Sequence, residues 1–118
     1  WSITEQCQFT IYKKNQFYDW HQDSHFKTYG KELRNLEGKI RKLSMTVLLN
    51  DSEEYQGGDF LFDLTKPKDK KKNIVKAKEL KSKGSIIVFP SFVWHKVEPI
   101  TKGTRYSLVA WNCGKPWQ

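Results

Sequence analysis

The chain has 118 residues, which suffice for one domain with one hydrophobic core. Hydrophobic residues make up 37% and aromatic residues 14%, a composition that excludes an intrinsically disordered chain. The net charge of +8 favours acidic partners, and the sequence contains no apolar run of about 18 residues, so we expect no membrane span.

Short segments with the composition of β-strands, separated by turn residues, dominate the chain. They span residues 8–12, 17–21, 42–49, 55–64, 73–77, 84–89 and 105–111. In the third of them Leu43, Met45 and Val47 share one face, and Ser44 and Thr46 share the other. The sixth is a continuous apolar run ended by a proline, which is typical of a buried strand.

Only residues 31–43 have a helical pattern, because Leu33, Leu36, Ile40 and Leu43 recur every three or four positions. Gly38 weakens that helix. Seven strands and one or two short helices at most predict a mainly β domain over residues 1–118. A jelly roll, the cupin-like double-stranded β-helix, is the most economical architecture, and ligands bind in the mouth of such folds.

Two cysteines, Cys7 and Cys113, stand near opposite ends of the chain and match neither a zinc site nor a disulfide framework. We expect two buried or half-buried thiols in a reducing compartment. No signal-peptide pattern follows Trp1, so the cytoplasm is the expected location.

Nine lysines fall between Lys66 and Lys83. Such a segment could bind nucleic acid or an acidic protein, or it could be a solvated hairpin or loop. Almost no aromatic residue is interleaved, and single-strand binders need stacking platforms. The solvated loop is therefore favoured.

A candidate metal site begins at His21 and Asp23, which would share one face if both lay on a strand. His95 follows a predicted buried strand and a proline corner, which would return it to the same cavity. Two histidines and one carboxylate with open positions make the facial triad of non-haem Fe(II) oxygenases.

A candidate anion site lies on the last predicted strand, where Arg105 and Ser107 share a face with Val109 and Trp111. An arginine that points into a cavity needs an anion, and a guanidinium with a neighbouring hydroxyl suits a carboxylate. A metal site and a carboxylate receptor in one barrel indicate a 2-oxoglutarate site.

The motifs HxD, YQGGDF (55–60), GSIIVFP (84–90) and the stretch from His95 through Arg105 to Trp111 resemble the iron- and 2-oxoglutarate-dependent dioxygenases of the prolyl-hydroxylase-like branch. The resemblance is strongest to PKHD-type hydroxylases of bacteria and phages and runs from about Tyr12 to Trp111. It implies one dioxygenase domain over residues 1–118, without the N-terminal helices usual in that family.

Residue by residue, the resemblance implies that His21, Asp23 and His95 hold Fe(II) and that Arg105 pairs with the distal carboxylate of 2-oxoglutarate. Tyr12 and Tyr18 match aromatic positions that line the cosubstrate pocket or the substrate entrance in relatives. Some animal prolyl hydroxylases carry a tyrosine where this chain has Leu48, and here Ser107 or Thr46 would supply the missing hydroxyl.

Other polar and aromatic residues receive supporting roles. His25 is expected at the substrate rim or in solvent, because the chemistry needs open metal positions. Trp111 is expected to form cavity wall or core, with substrate stacking as the alternative. Asp19 has the parity of His21 but no counterpart as a ligand in the family.

The activity that the resemblance implies is hydroxylation of a substrate C–H bond with Fe(II), 2-oxoglutarate and O2, releasing succinate and CO2, with ascorbate as reductant in vitro. A prolyl residue of a peptide or protein, acidic to suit the basic chain, is the leading substrate by analogy. Two alternatives stay open. One is a cupin-like module that binds metal and a small carboxylate without oxygenase activity. The other is an oxygenase that acts on nucleic acid, which is not favoured, or on a small molecule.

Overall fold

The computed structural model describes residues 5–24 and 38–117. It is mainly β, as the sequence predicts, and its only helix among these residues is the short 3-10 helix Ser52–Glu54. The strands are β1 (Gln8–Tyr12), β2 (Tyr18–His21), β3 (Ile40–Leu48), β4 (Tyr55–Gly57), β5 (Phe60–Asp63), β6 (Ile74–Lys76), β7 (Ile86–Pro90), β8 (Trp94–Val97), β9 (Ile100–Gly103) and β10 (Arg105–Gly114).

Two four-stranded antiparallel sheets form the jelly roll. The first has the order β1-β10-β3-β7, the second has the order β2-β8-β5-β6, and β4 pairs with β9. The sheets share a core in which Phe89 of the first sheet packs against Phe60 and Phe62 of the second. The same buried cluster contains Leu48, Tyr55, Leu80, Val97 and Ile100. The predicted jelly-roll class is confirmed.

The inner face of the first sheet is polar beside the site. Along β3 the buried residues include Lys42, Ser44 and Thr46, whereas the alternate residues are only half-buried. On the neighbouring β10, Arg105 and Ser107 are each 1% exposed. Buried polar side chains on facing strands are informative, because a folding core does not need them and a ligand cavity does.

The outer face of the same sheet is apolar and open to solvent. Phe9 and Ile11 on β1 are 56% and 44% exposed, and Ile86 and Val88 on β7 are 57% and 54% exposed. The prediction that residues 84–89 form a buried strand is therefore wrong for the outer face of that strand. As the edge strand of the sheet, β7 buries only the face that carries Phe89.

The helix predicted over residues 31–43 is wrong where it can be compared. Residues 31–37 lie outside the described part of the chain, and Ile40–Leu48 form a strand. Pairing with β10 on one side and β7 on the other satisfies the backbone of β3, and this long-range pairing overrides a local apolar spacing that suits either structure. Gly38 lies in a turn two residues before the strand begins.

Several smaller expectations also change. Strands β8 and β9 lie where the sequence predicted none, because "WHKVEPITKG" lacks clear alternation. The predicted edge strand within 73–77 is confirmed as β6, and the flanking lysines are exposed. Both cysteines are free thiols, but Cys7 is exposed, contrary to the prediction, and Cys113 is buried. No helix within the described ranges is long and apolar enough to cross a membrane.

Gly57 allows β4 to approach β9. Its φ of +77° belongs to the left-handed region, and a Cβ there would lie 2.3 Å from the carbonyl oxygen of Pro99. Gly38 has a similar φ of +71° but no atom within 4 Å of its would-be Cβ. Gly57→Ala is therefore expected to lower the free energy of unfolding by about 1–3 kcal/mol more than Gly38→Ala. Urea unfolding of both variants measures the difference, and equal losses would show that backbone conformation alone sets the cost.

Candidate metal centre

Two histidines face each other across adjacent strands. His21 ends β2 and is the Cα partner of His95 on β8, and their rings lie 4.1 Å apart between centroids. The side chain of His95 is 5% exposed and that of His21 is 22% exposed. One histidine is thus set in the core and the other toward the cavity mouth.

Asp23 joins the pair from beyond the end of its strand. Because β2 ends at His21, strand parity does not place Asp23, contrary to the reasoning from sequence. Instead its amide donates a hydrogen bond to the carbonyl of Ser91, which follows β7. Oδ1 of Asp23 lies 3.4 Å from Nε2 of His21 and 3.3 Å from Nε2 of His95.

Main-chain carbonyls fix the orientation of both imidazoles. Nδ1 of His21 lies 2.7 Å from the carbonyl oxygen of Asp19, and Nδ1 of His95 lies 2.8 Å from that of Val93. A carbonyl only accepts, so each Nδ1 is a donor, and this contact directs each Nε2 toward Asp23. Asp19, which the sequence placed outside the ligand set, therefore contributes its main-chain carbonyl, which orients His21.

The carboxylate of Asp23 stays ionised. Burial raises the pKa of this group, but hydrogen bonding with His21, His95 and Ser44 outweighs burial and lowers the pKa well below its usual range. Ligand atoms of His21, Asp23 and His95 all lie within 4.8 Å of one another. Two imidazole nitrogens and a carboxylate oxygen that converge in this way suit a divalent transition metal such as iron.

Arg105 supplies a second charged group in the same interior. Nη1 donates to Oγ of Ser107 over 3.2 Å, whereas Nε and Nη2 are buried with no hydrogen-bond partner among the described residues. Burial lowers the pKa of Arg105, and the neighbouring Tyr55 and Tyr12 partly offset this effect. A buried guanidinium with two unpartnered nitrogens suits a carboxylate ligand.

One cavity of about 120 Å³ is lined both by the candidate ligands His21, Asp23 and His95 and by Arg105. The cosubstrate candidates Tyr12, Thr46 and Ser107 line it, together with Tyr18 and Trp111. Ser107 is held by Thr10, which contacts its hydroxyl and its carbonyl oxygen. Leu48 is fully buried in the apolar core, so the polar lining on this side comes from other residues.

The rim candidates are placed differently from one another. Tyr18 is 49% exposed, and its ring lies 3.7 Å from that of His21 between centroids, tilted by 37°, at the cavity mouth. Trp111 is only 7% exposed, and the guanidinium of Arg41 lies over its ring at 3.7 Å. His25 lies outside the described residues.

Sequence reasoning missed Ser44 and Ser91 around the carboxylate of Asp23. Ser44 donates to Oδ2 over 2.5 Å, and the hydroxyl of Ser91 lies 2.9 Å from that of Ser44. Both serines are 0% exposed. The available signal was a serine and a threonine alternating with apolar residues on a long strand, which indicates a polar inner face.

Comparisons with known proteins agree with this geometry. A model of the 2OG-Fe(II) oxygenase superfamily matches residues 7–113. A PKHD-type hydroxylase of Synechococcus sp. (strain CC9902) is 34% identical over 95 residues, which cover 80% of this chain and 35% of that protein. A PKHD-type hydroxylase of Alteromonas mediterranea is 32% identical over 104 residues, covering 87% of this chain and 41% of that protein.

Among solved structures, a Pseudomonas putida prolyl-4-hydroxylase superposes with a TM-score of 0.60 at 27% identity. The match covers 89% of this chain and 50% of that one. The chain therefore spans about a third to a half of the length of these relatives.

Proposed function

The chain belongs to the 2OG-Fe(II) oxygenase superfamily, and from this membership we propose that it hydroxylates a C–H bond of a peptide or protein, with a prolyl residue as the leading target. Hydroxylation is supported by the relatives, which are a PKHD-type hydroxylase and a prolyl-4-hydroxylase. The reaction consumes one O2 and one 2-oxoglutarate per hydroxyl group formed and releases succinate and CO2.

One observation carries the proposal: the three candidate metal ligands and a buried guanidinium with two unpartnered nitrogens line the same cavity. A metal module alone would not need the second charge. A structural arginine would use its N–H groups on the protein itself, since buried donors without partners are costly. Together the two features fit a small molecule that binds the metal at one end and presents a carboxylate to Arg105 at the other.

We assign the roles as follows. His21, Asp23 and His95 hold Fe(II), and Arg105 with Ser107 binds the distal carboxylate of 2-oxoglutarate, which Tyr12 and Thr46 flank. When bound, the iron and 2-oxoglutarate supply the oxidative chemistry. The protein orients them, directs Nε2 of both imidazoles toward Asp23 through the Nδ1 contacts, and excludes bulk water with its apolar core.

The substrate would approach past Tyr18, whose half-exposed ring stands over His21. An aromatic wall at the mouth suits the ring of a prolyl residue. The net charge of +8 favours a peptide with acidic residues near the target. Nucleic acid is a weaker candidate, because the basic segment between Lys66 and Lys83 carries no aromatic residue on which a base could stack.

Turnover tests the proposal directly. Protein supplied with Fe(II), ascorbate and 2-oxoglutarate is expected to form succinate, faster with proline-containing acidic peptides than without peptide. His95→Ala removes a ligand and is expected to reduce succinate formation to that of iron and ascorbate in buffer. Mass spectrometry of the peptide is expected to show a gain of one oxygen atom.

Two outcomes would overturn the proposal. Turnover of the unaltered protein no faster than that of His95→Ala would exclude oxygenase activity. Calorimetry could instead show tight metal binding and a 2-oxoglutarate affinity that is the same with and without the metal. That result would support a cupin-like binding module.

A further inference from the structure

The two oxygens of Asp23 face different surroundings. Oδ1 points to Nε2 of His21 and of His95, at 3.4 and 3.3 Å. Oδ2 accepts hydrogen bonds from Oγ of Ser44 at 2.5 Å and from Nε1 of Trp111 at 3.2 Å. The carboxylate is therefore oriented from behind by two donors that do not face the metal position.

The chemistry of the groups determines which of them donates each hydrogen bond. An indole N–H can only donate, and a serine hydroxyl carries a single hydrogen, which Ser44 gives to the carboxylate. The hydroxyl of Ser91, 2.9 Å from that of Ser44, then donates to Ser44 in turn. A carboxylate oxygen has about two lone pairs, so two hydrogen bonds occupy Oδ2 and leave only Oδ1 for a metal.

The two donors sit on adjacent inner strands of the first sheet. Ser44 on β3 and Trp111 on β10 are direct cross-strand partners, and they are 0% and 7% exposed. Asp23 lies beyond the end of β2, where its own strand does not set its side chain. A fully buried serine on a core strand is costly unless its hydroxyl is used, and here Asp23 uses it.

We propose that Ser44 and Trp111 are positioning residues that hold Asp23 in a one-oxygen binding mode. This inference rests on the proposed function. With Oδ2 occupied, the carboxylate fills one metal position and not two. The positions that 2-oxoglutarate and O2 need stay open.

Metal affinity tests the inference apart from activity. Ser44→Ala removes one donor, and Trp111→Phe removes the other while keeping a ring beneath Arg41. The Kd for Mn(II), measured by paramagnetic resonance of the free ion without 2-oxoglutarate, is expected to rise about 10- to 100-fold in each variant. Ser91→Ala leaves the bond from Ser44 in place and is expected to cause a smaller rise.

Matched controls separate positioning from folding. Trp117→Phe keeps an aromatic ring beside Phe92 and Lys42. Ser85→Ala removes a hydroxyl just before β7 that accepts a hydrogen bond from the amide of Ser82 and not from the Asp23 network. Both are expected to bind Mn(II) as the unaltered protein does. Circular dichroism and melting of the metal-free variants establish that each is folded at the temperature of the titration.

Each outcome has one meaning. Weaker Mn(II) binding in Ser44→Ala and Trp111→Phe, with unchanged controls, supports the inference. Folded variants that bind Mn(II) normally, even with lower melting temperatures, overturn it and leave the proposed function standing. An unaltered protein that binds no Mn(II) overturns the proposed function itself.

Discussion

Asp23→Asn is expected to abolish metal binding and 2-oxoglutarate turnover while leaving the protein folded. Ser44 and Trp111 donate to one side of the group, so the amide oxygen takes the place of Oδ2. The amide nitrogen then takes the place of Oδ1 and donates toward Nε2 of the two histidines. The N–H groups thus occupy the position where a cation would bind.

The expected loss of metal affinity exceeds the roughly 10- to 100-fold typical of residues behind a ligand, because a ligand itself is removed. The free energy of unfolding of the metal-free variant is expected to stay within about 1 kcal/mol of that of the unaltered protein, since the buried group keeps its hydrogen bonds. Calorimetric titration with Mn(II) and urea unfolding measure the two quantities.

Asp59→Asn provides the matched control. Asp59 pairs with Lys76 at 3.2 Å with both side chains about half exposed, so the same substitution there tests only the change of charge. Asp59→Asn is expected to bind Mn(II) normally. Metal binding by Asp23→Asn comparable to that of Asp59→Asn would show that the trio is a polar cluster and not a metal site.

The three candidate ligands could be named from sequence, but the reason for their meeting could not. An H-x-D pattern and a later histidine suggested a shared cavity through strand parity. The structure brings the residues together by another route, a hydrogen bond from the Asp23 amide to the loop after β7. The residue types that can bind a metal are visible in short stretches of sequence. Whether their side chains meet depends on contacts between residues about seventy positions apart.

Burial on β3 shows a second limit of sequence reasoning. Alternation correctly separated Leu43, Met45 and Val47 from Ser44 and Thr46. Hydrophobicity alone would bury the apolar set, yet the polar set is the more buried one. The inversion arises because Arg105, Ser107 and the carboxylate of Asp23 line the cavity on the inner side, and no property of residues 40–48 by themselves reports that.

Arg105→Met is expected to change binding and stability in opposite directions. Methionine keeps a stem of similar length but removes the guanidinium. The loss of a buried charged partner typically costs about 2–5 kcal/mol in binding, which corresponds to about 30- to 5,000-fold weaker affinity for 2-oxoglutarate. Calorimetric titration of the Mn(II)-loaded protein with 2-oxoglutarate measures the loss.

Stability of the ligand-free protein should rise in the same variant. Arg105 is 1% exposed, and two of its guanidinium nitrogens have no hydrogen-bond partner among the described residues, so its burial is only partly compensated. Replacing a buried charge of this kind with an apolar side chain is expected to raise the free energy of unfolding by about 1–4 kcal/mol. Ser107 keeps a partner in Thr10, which limits the local cost.

Addition of 2-oxoglutarate should then make the unaltered protein more stable than Arg105→Met. At 2-oxoglutarate concentrations about 100 times its Kd, the unaltered Mn(II)-loaded protein gains about 2.7 kcal/mol, whereas Arg105→Met gains little. Lys102→Met, which removes an exposed cation from β9, is the control and should respond to 2-oxoglutarate as the unaltered protein does. If Arg105→Met is less stable than the unaltered protein without ligand and binds 2-oxoglutarate equally well, Arg105 has a structural role. A more stable variant that has lost the response would mean that the folded protein carries this charge at a cost in stability because the cosubstrate needs it.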